Sequence, residues 1–190
     1  MRRASASSVS TATAVLALAA LLSAPVAASG QAVFERPALL TSSGQSSDIA
    51  IVKVMLNTQA KLGLDVKPMA QPGDLAGVKT LVIVVGASTK GLGAAGIDMD
   101  KEIARTSALL KAAKAGNVKV LVLHTGGEGR RGKTSNDLIQ IVVPEADRVV
   151  VVATGNKDKI FQKLAEGRKA PVVEVDKVTA AGEAVKALFN

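Results

Sequence analysis

Apolar positions in this chain fall in short runs, and each run ends in a polar loop that leads into a segment of helical period. Ala38 to Thr41 reads as a short strand. Behind Ser47 or Asp48 as N-cap, Ile51, Val54, Met55 and Leu62 recur at helical spacing, and the helix stops near Gly63. Asp65 to Ala70 is a weaker strand, and Gln71 to Gly77 a turn with room for one helical turn. Thr80 to Val85 and Val118 to Leu123 are continuous Val/Ile/Leu runs, the pattern of strands covered on both faces. Gly86 to Ile97 reads as a long polar loop ahead of a helix from about Asp98 to Ala115, with Met99, Ile103, Leu110 and Ala113 facing inward and Gly116 as its stop. A second long loop, His124 to Lys133, precedes a helix that starts at Thr134 or Ser135 and must end at Val143, because Pro144 cannot continue it. Strand Arg148 to Ala153, helix Asp158 to Glu166, strand Val172 to Val175 and helix Val178 to Leu188 complete the chain.

Alternation of strands and helices, with central strands buried on both faces, predicts an α/β fold. The expected form is a doubly wound, mainly parallel sheet of five to six strands in three layers, with right-handed crossovers and flavodoxin-like strand order. In the order 2-1-3-4-5, strands one and three flank the switch point, where a crevice opens at their C-terminal ends. The site is therefore expected where Thr41–Asp48 faces Gly86–Ile97, with His124–Lys133 beside them.

Composition narrows the chemistry. Aromatic residues make up 2% of the 190-residue chain, with Phe34, Phe161 and Phe189 and no Trp or Tyr. The core must be built from aliphatic residues, and no aromatic platform for RNA bases is possible. No Cys is present, which excludes thiolate metal sites, thiol nucleophiles and a lipobox. Arg2 and Arg3, the apolar Thr13 to Leu22 and the small residues Ala24 to Ala28 read as a signal peptide over residues 1–28, with cleavage after Ala28 or as late as Ala32. The apolar run is too short to span a bilayer. A single domain over 33–190 is expected, exported to the periplasm or beyond, with no stable membrane anchor after cleavage. The formal charge of +8 drops to about +6 without the two leader arginines. Its Lys residues are spread along the chain, so a basic solvated surface is favoured over nucleic-acid binding.

Five constellations bear on function. Thr41-Ser42-Ser43-Gly44-Gln45-Ser46 fits [ST]-x-[ST]-G-x-[ST] and resembles the phosphate-binding loop of flavodoxins; helix capping alone accounts for it equally well. Flavin is disfavoured, because nothing here sandwiches its ring. Gly127 to Thr134 is a literal G-x-x-x-x-G-K-T. ATP is disfavoured too: the match follows the fourth strand, His124 and Thr125 intervene, no Walker-B Asp is evident, and the expected compartment lacks ATP. Gly86 to Gly96 contains G-x-G-x-x-G in loose form, and Asp98, Asp100 and Glu102 are better read as first-turn dipole partners than as metal ligands. His124, the single histidine, would be the base of a hydrolase, but no G-x-S-x-G elbow accompanies it.

The words Thr41 to Ser46, Val84 to Asp98 and His124 to Gly132 together resemble an uncharacterised family of secreted bacterial proteins, described as domain of unknown function 6305. The likeness covers nearly all of the chain after the leader. It implies one exported α/β domain, flavodoxin-like or Rossmann-like, without an assigned activity. It also implies that the arginine pair belongs to the family pattern, whereas the Lys-Thr after Gly132 does not. The expected function is the binding of a small anion bearing phosphate, sulfate or carboxylate, without cofactor or metal. Its expected contacts are Ser42, Ser43, Gly44, Gln45 and Ser46 from the first loop; Gly86, Ser88, Thr89 and Lys90 from the second; and His124, Gly127, Arg130 and Arg131 from the third. The alternatives are an enzyme using His124 in the same cleft and a partner-binding module of an exported complex.

Overall fold

The computed structural model describes Met1 and residues 33–189. The expected leader, apart from Met1, lies outside the described residues. Six strands form one all-parallel sheet: β1 (Ala38–Ser43), β2 (Asp65–Val66), β3 (Thr80–Val85), β4 (Lys119–His124), β5 (Arg148–Val152) and β6 (Val172–Val175). Their order is β2-β1-β3-β4-β5-β6, with Leu40 opposite Val82, Ile83 opposite Val122 and Val150 opposite Val173. This is the doubly wound arrangement expected from the sequence, with β6 as the outer strand.

Helices cover both faces because successive side chains of a strand point to opposite sides. They are α1 (Asp48–Lys53), α2 (Thr89–Ala94), α3 (Met99–Ala115), α4 (Lys133–Val142), α5 (Ile160–Ala165) and α6 (Val178–Lys186). Leu39, Leu81, Ile83, Val122 and Val149 pack with Leu109 of α3, Leu138 and Ile139 of α4 and Phe161 of α5. Leu40, Val82, Val84, Leu121 and Val150 pack with Val52 of α1 and Ala181 and Val185 of α6. Phe34 closes this second core: Val33 N and Phe34 N both donate to Leu188 O, and the Phe34 ring lies 5.8 Å from that of Phe189.

Several elements differ from the sequence reading. Residues Gly86 to Ile97 are not an open loop, since Ser88 caps α2 by accepting from Gly91 N. The glycines concealed the helix. Strand β2 ends at Val66, because Pro68 has no N–H for the ladder; the Pro68 carbonyl instead receives Ser42 N and the Thr41 hydroxyl. After α4 the chain continues as a 3-10 turn, Val143–Glu145, that accommodates Pro144.

The largest change of face is in α1. Ile51 and Val54, expected inside, are 55% and 50% exposed, while Val52, Met55 and Leu56 are buried. Apolar residues at 51, 52, 54, 55 and 56 offer more than one stripe, and π-helical winding over Val54–Gln59 sets which one turns inward. Met55 then reaches Gly182 of α6, where any Cβ would lie 2.5 Å from Met55 Cγ. Ile51, Val54, Val178 and Thr179 are left lining an apolar groove of about 370 Å³.

Candidate functional site

The loops after β1 and β3 are fastened to each other. Gly86 N donates to Ser43 O, Ser88 N donates to Gly44 O, and Gln45 forms an antiparallel bridge with Ala87. Two glycines make the approach possible. Gly44 sits at φ +104°, where a Cβ would be 2.5 Å from Gly86 O, and a Cβ on Gly91 would be 1.8 Å from Gln45 O. These glycines therefore serve loop-on-loop packing.

Much of the first loop is satisfied from within the protein. Ser42 and Ser43 belong to β1 and are buried; Ser43 Oγ bonds Thr106, and Ser42 Oγ has no partner. Glu102 Oε1 accepts from Gly44 N at 2.7 Å and from Gln45 Nε2 at 3.0 Å. Arg105, one helical turn later, donates to both Glu102 oxygens and to the carbonyls of Ala70 and Ser42. A carboxylate and a guanidinium, both buried, thus fix the loop to α3. Sequence reading assigned Glu102 to the helix dipole and passed over Arg105. The available signal was a Glu–Arg pair three residues apart on the stripe that also carries Thr106, Leu109 and Ala113.

The third loop divides the arginine pair. Arg131 turns toward the loop after β5: Nε donates to Asn136, Nη1 to Gly155 O, and Nη1 and Nη2 to the two carboxylate oxygens of Asp158, with the guanidinium 5.9 Å from the Phe161 ring centre. This bidentate hydrogen bonding holds the Asp158 carboxyl down at about 2. Arg130 turns the other way, across the start of α1. Its Nε lies 3.3 and 3.4 Å from the Asp48 oxygens, and Nη2 donates to Ser47 Oγ at 3.2 Å. Those contacts exceed the roughly 2.7–2.9 Å of strong charge-assisted bonds. Nη1 makes no hydrogen bond among the described residues, and the side chain is 30% exposed.

His124 lies between these groups and is fully buried. Nδ1 is 3.0 Å from Val85 O and Nε2 is 3.2 Å from Gly127 O. Burial pushes its pKa below the ordinary 6.5, the two carbonyls pull it back up, Arg131 adds to the lowering and Asp48 opposes it. Neither nitrogen faces solvent in this arrangement.

Ser46, Asp48 and Arg130 come close over Gly86 at the end of β3. A Cβ placed there would meet Arg130 Cβ at 3.7 Å, Asp48 Oδ2 at 3.8 Å and Ser46 Oγ at 3.8 Å, all ordinary contact distances. Side chains of the first and third loops thus lie together over the end of β3. Ser46 Oγ accepts from Asp48 N, and the Asp48 side chain is 11% exposed. Of the expected contacts, the fold gathers Ser46, Gly86 and Arg130 here and adds Asp48, which the sequence reading treated only as a cap. Thr89 and Lys90 are exposed on α2; Ser88, Gly127 and Arg131 are engaged elsewhere. Lys133, at the lysine position of the G-x-x-x-x-G-K-T match, pairs with Asp137 on its own helix. Among the described residues no group of three His, Asp or Glu converges as a metal site, and no helix is long and apolar enough to cross a membrane.

A family described as "Domain of unknown function (DUF6305)" matches residues 35–189. No curated protein and no solved structure matches the chain.

Proposed function

The chain belongs to this family of unknown function, and from that premise we propose that it is an exported domain that binds a small oxyanion beside Arg130, where the loops after β1 and β4 meet. The observation that carries the reading is the partly exposed Arg130 guanidinium, held by Asp48 and Ser47 at 3.2–3.4 Å with Nη1 unbonded among the described residues. An oxygen of phosphate, sulfate or carboxylate beside Nη1 would receive a charge-assisted hydrogen bond from Arg130. Thermal-shift titration of the protein with phosphate, sulfate and small carboxylates tests this. Ligand at a hundredfold excess over Kd stabilises by about 2.7 kcal/mol, and Arg130→Ala should erase the shift. No shift with any of these anions overturns the reading. Export is tested by N-terminal sequencing of protein recovered from outside the cytoplasm, with Ser29 or Val33 as the expected first residue.

A second reading, a partner-binding module, is favoured by a different observation: Ile51 and Val54 stand exposed along the groove between α1 and α6. It would show as co-purification that Ile51→Ser weakens and that anions do not alter. Catalysis by His124 gains less support, since both ring nitrogens already face backbone carbonyls.

A further inference from the structure

We propose that the C-terminal end of α3 carries a docking trough for an extended acidic segment of a partner protein. Three concavities adjoin there. One of about 300 Å³ lies between α3 and α4, with Ser107, Lys111 and Lys114 on one wall and Ile141 and Glu145 on the other. Lys114 also borders a second, of about 180 Å³, together with Lys119, Asp147 and Arg168. Asn117 and Val118 border both that one and a third of about 700 Å³, which lies between the last turn of α3 and the loop from Pro72 to Lys79. The trough sits where β3, β4 and β5 begin, since Lys79 precedes β3, Lys119 opens β4 and Asp147 precedes β5. Arg130 follows the C-terminal end of β4, so the trough is separate from the oxyanion site.

Its charges are unbalanced. Lys79, Lys111, Lys114, Lys119 and Arg168 border it against two carboxylates, Glu145 and Asp147, a surplus of three positive charges. Both carboxylates are committed within the protein. Glu145 Oε2 accepts from Arg168 Nη1 at 3.0 Å, while Asp147 Oδ2 accepts from Val120 N at 2.7 Å and Oδ1 lies 3.4 Å from Arg168 Nη2. Lys114 reaches Glu145 only at 3.8 Å, and Lys79 and Lys111 form no ion pair among the described residues. Lysines in the last turns of a helix complement its dipole. That accounts for Lys114 but not for Lys79, Lys119 and Arg168, which come from three other segments.

Shape selects among anionic partners. A small oxyanion would occupy one concavity and leave the others unused. From Ser107 to Gly116 the trough follows α3 for about 15 Å at about 1.5 Å per residue, the length of roughly five residues of extended chain. Its wide end is bordered by Pro72, Gly73, Ala76, Gly77, Ala112 and Gly116. Such small side chains leave backbone within reach of a peptide's own N–H and C=O groups. A flat bilayer cannot follow a concave surface, and single-stranded nucleic acid finds no aromatic side chain along the trough on which to stack.

Fluorescence anisotropy of a labelled hexaglutamate peptide, titrated with the full chain, tests the proposal, with hexaglutamine and an oligothymidylate of equal charge as comparisons. Hexaglutamate should bind saturably and at least about tenfold more tightly than either comparison, and salt at about 0.5 M should remove most of that binding. Lys111→Glu combined with Lys114→Glu should weaken hexaglutamate about tenfold or more. Lys53→Glu combined with Lys177→Glu makes the same change of net charge beside α1 and α6, on the other face of the sheet, and should alter binding by less than about twofold. All four lysines are exposed, so both double variants should melt close to wild type. Equal weakening by the two double variants overturns the trough in favour of a general attraction to a basic surface. Oligothymidylate bound as tightly as hexaglutamate overturns the peptide as its occupant, and no binding of hexaglutamate by wild type overturns the proposal outright. None of these results bears on Arg130, whose site is read by the anion titration.

Discussion

Ser42 shows how misleading a hydroxyl can be at the level of single residues. It stood among the expected ligand donors, yet its Oγ is buried without a partner inside the sheet. An unsatisfied buried hydroxyl costs about 1–3 kcal/mol, so Ser42→Ala should leave stability unchanged or raise it by up to about 1 kcal/mol in urea denaturation. Gly86 gives the opposite kind of test. Its backbone is unstrained and an added methyl meets only ordinary contacts, so Gly86→Ala should fold normally, with a urea midpoint close to that of wild type. His124 titrates in a readable direction. The unfolded imidazole takes up its proton near 6.5, whereas the buried ring resists it. The unfolded state therefore binds more protons below that pH, and stability falls as pH drops through 6.5 toward the folded value. A series of melting temperatures from pH 8 to 5 should show the loss, and His124→Gln should flatten it.

Among elements, α3 matters more to the site than its sequence suggested. Its inward stripe carries Glu102 and Arg105, which tie together the end of β1, the first loop and the carbonyl of Ala70. Removing one member of a buried pair leaves the other charge uncompensated, at about 3–5 kcal/mol. Glu102→Ala should accordingly lower the urea midpoint sharply, and a smaller loss than about 2 kcal/mol would mean that the loop is held by its backbone bridge alone. The strands and the long helices were legible because each carries its own periodicity. Glu102 was not, because its partner Gly44 is 58 residues away in sequence and first-turn acids are common on dipole grounds alone. The face of α1 was ambiguous for a related reason: its apolar residues outnumber one stripe, and only packing against Gly182 selects among them.

At the scale of the molecule, the strand order and the gathering of polar loops on one edge followed from the alternation of elements, since parallel crossovers have one hand and ligands collect beyond strand C-termini. What the pattern could not convey was how completely those loops interlock. A backbone bridge joins the first loop to the second, the Arg130–Asp48 contact joins it to the third, and a buried ion pair on α3 holds it from below.

The union of Phe34 and Phe189 has a practical side. Those residues meet where the strands begin, the far end of the sheet from Gly86, and Val33 and Phe34 share one carbonyl acceptor on Leu188. A tether attached beside Phe34 or beside Phe189 would leave from the same spot. The domain could thus be held on a bead, a chip or another protein from beside Phe34 or Phe189 with its polar loops at the opposite end of the sheet.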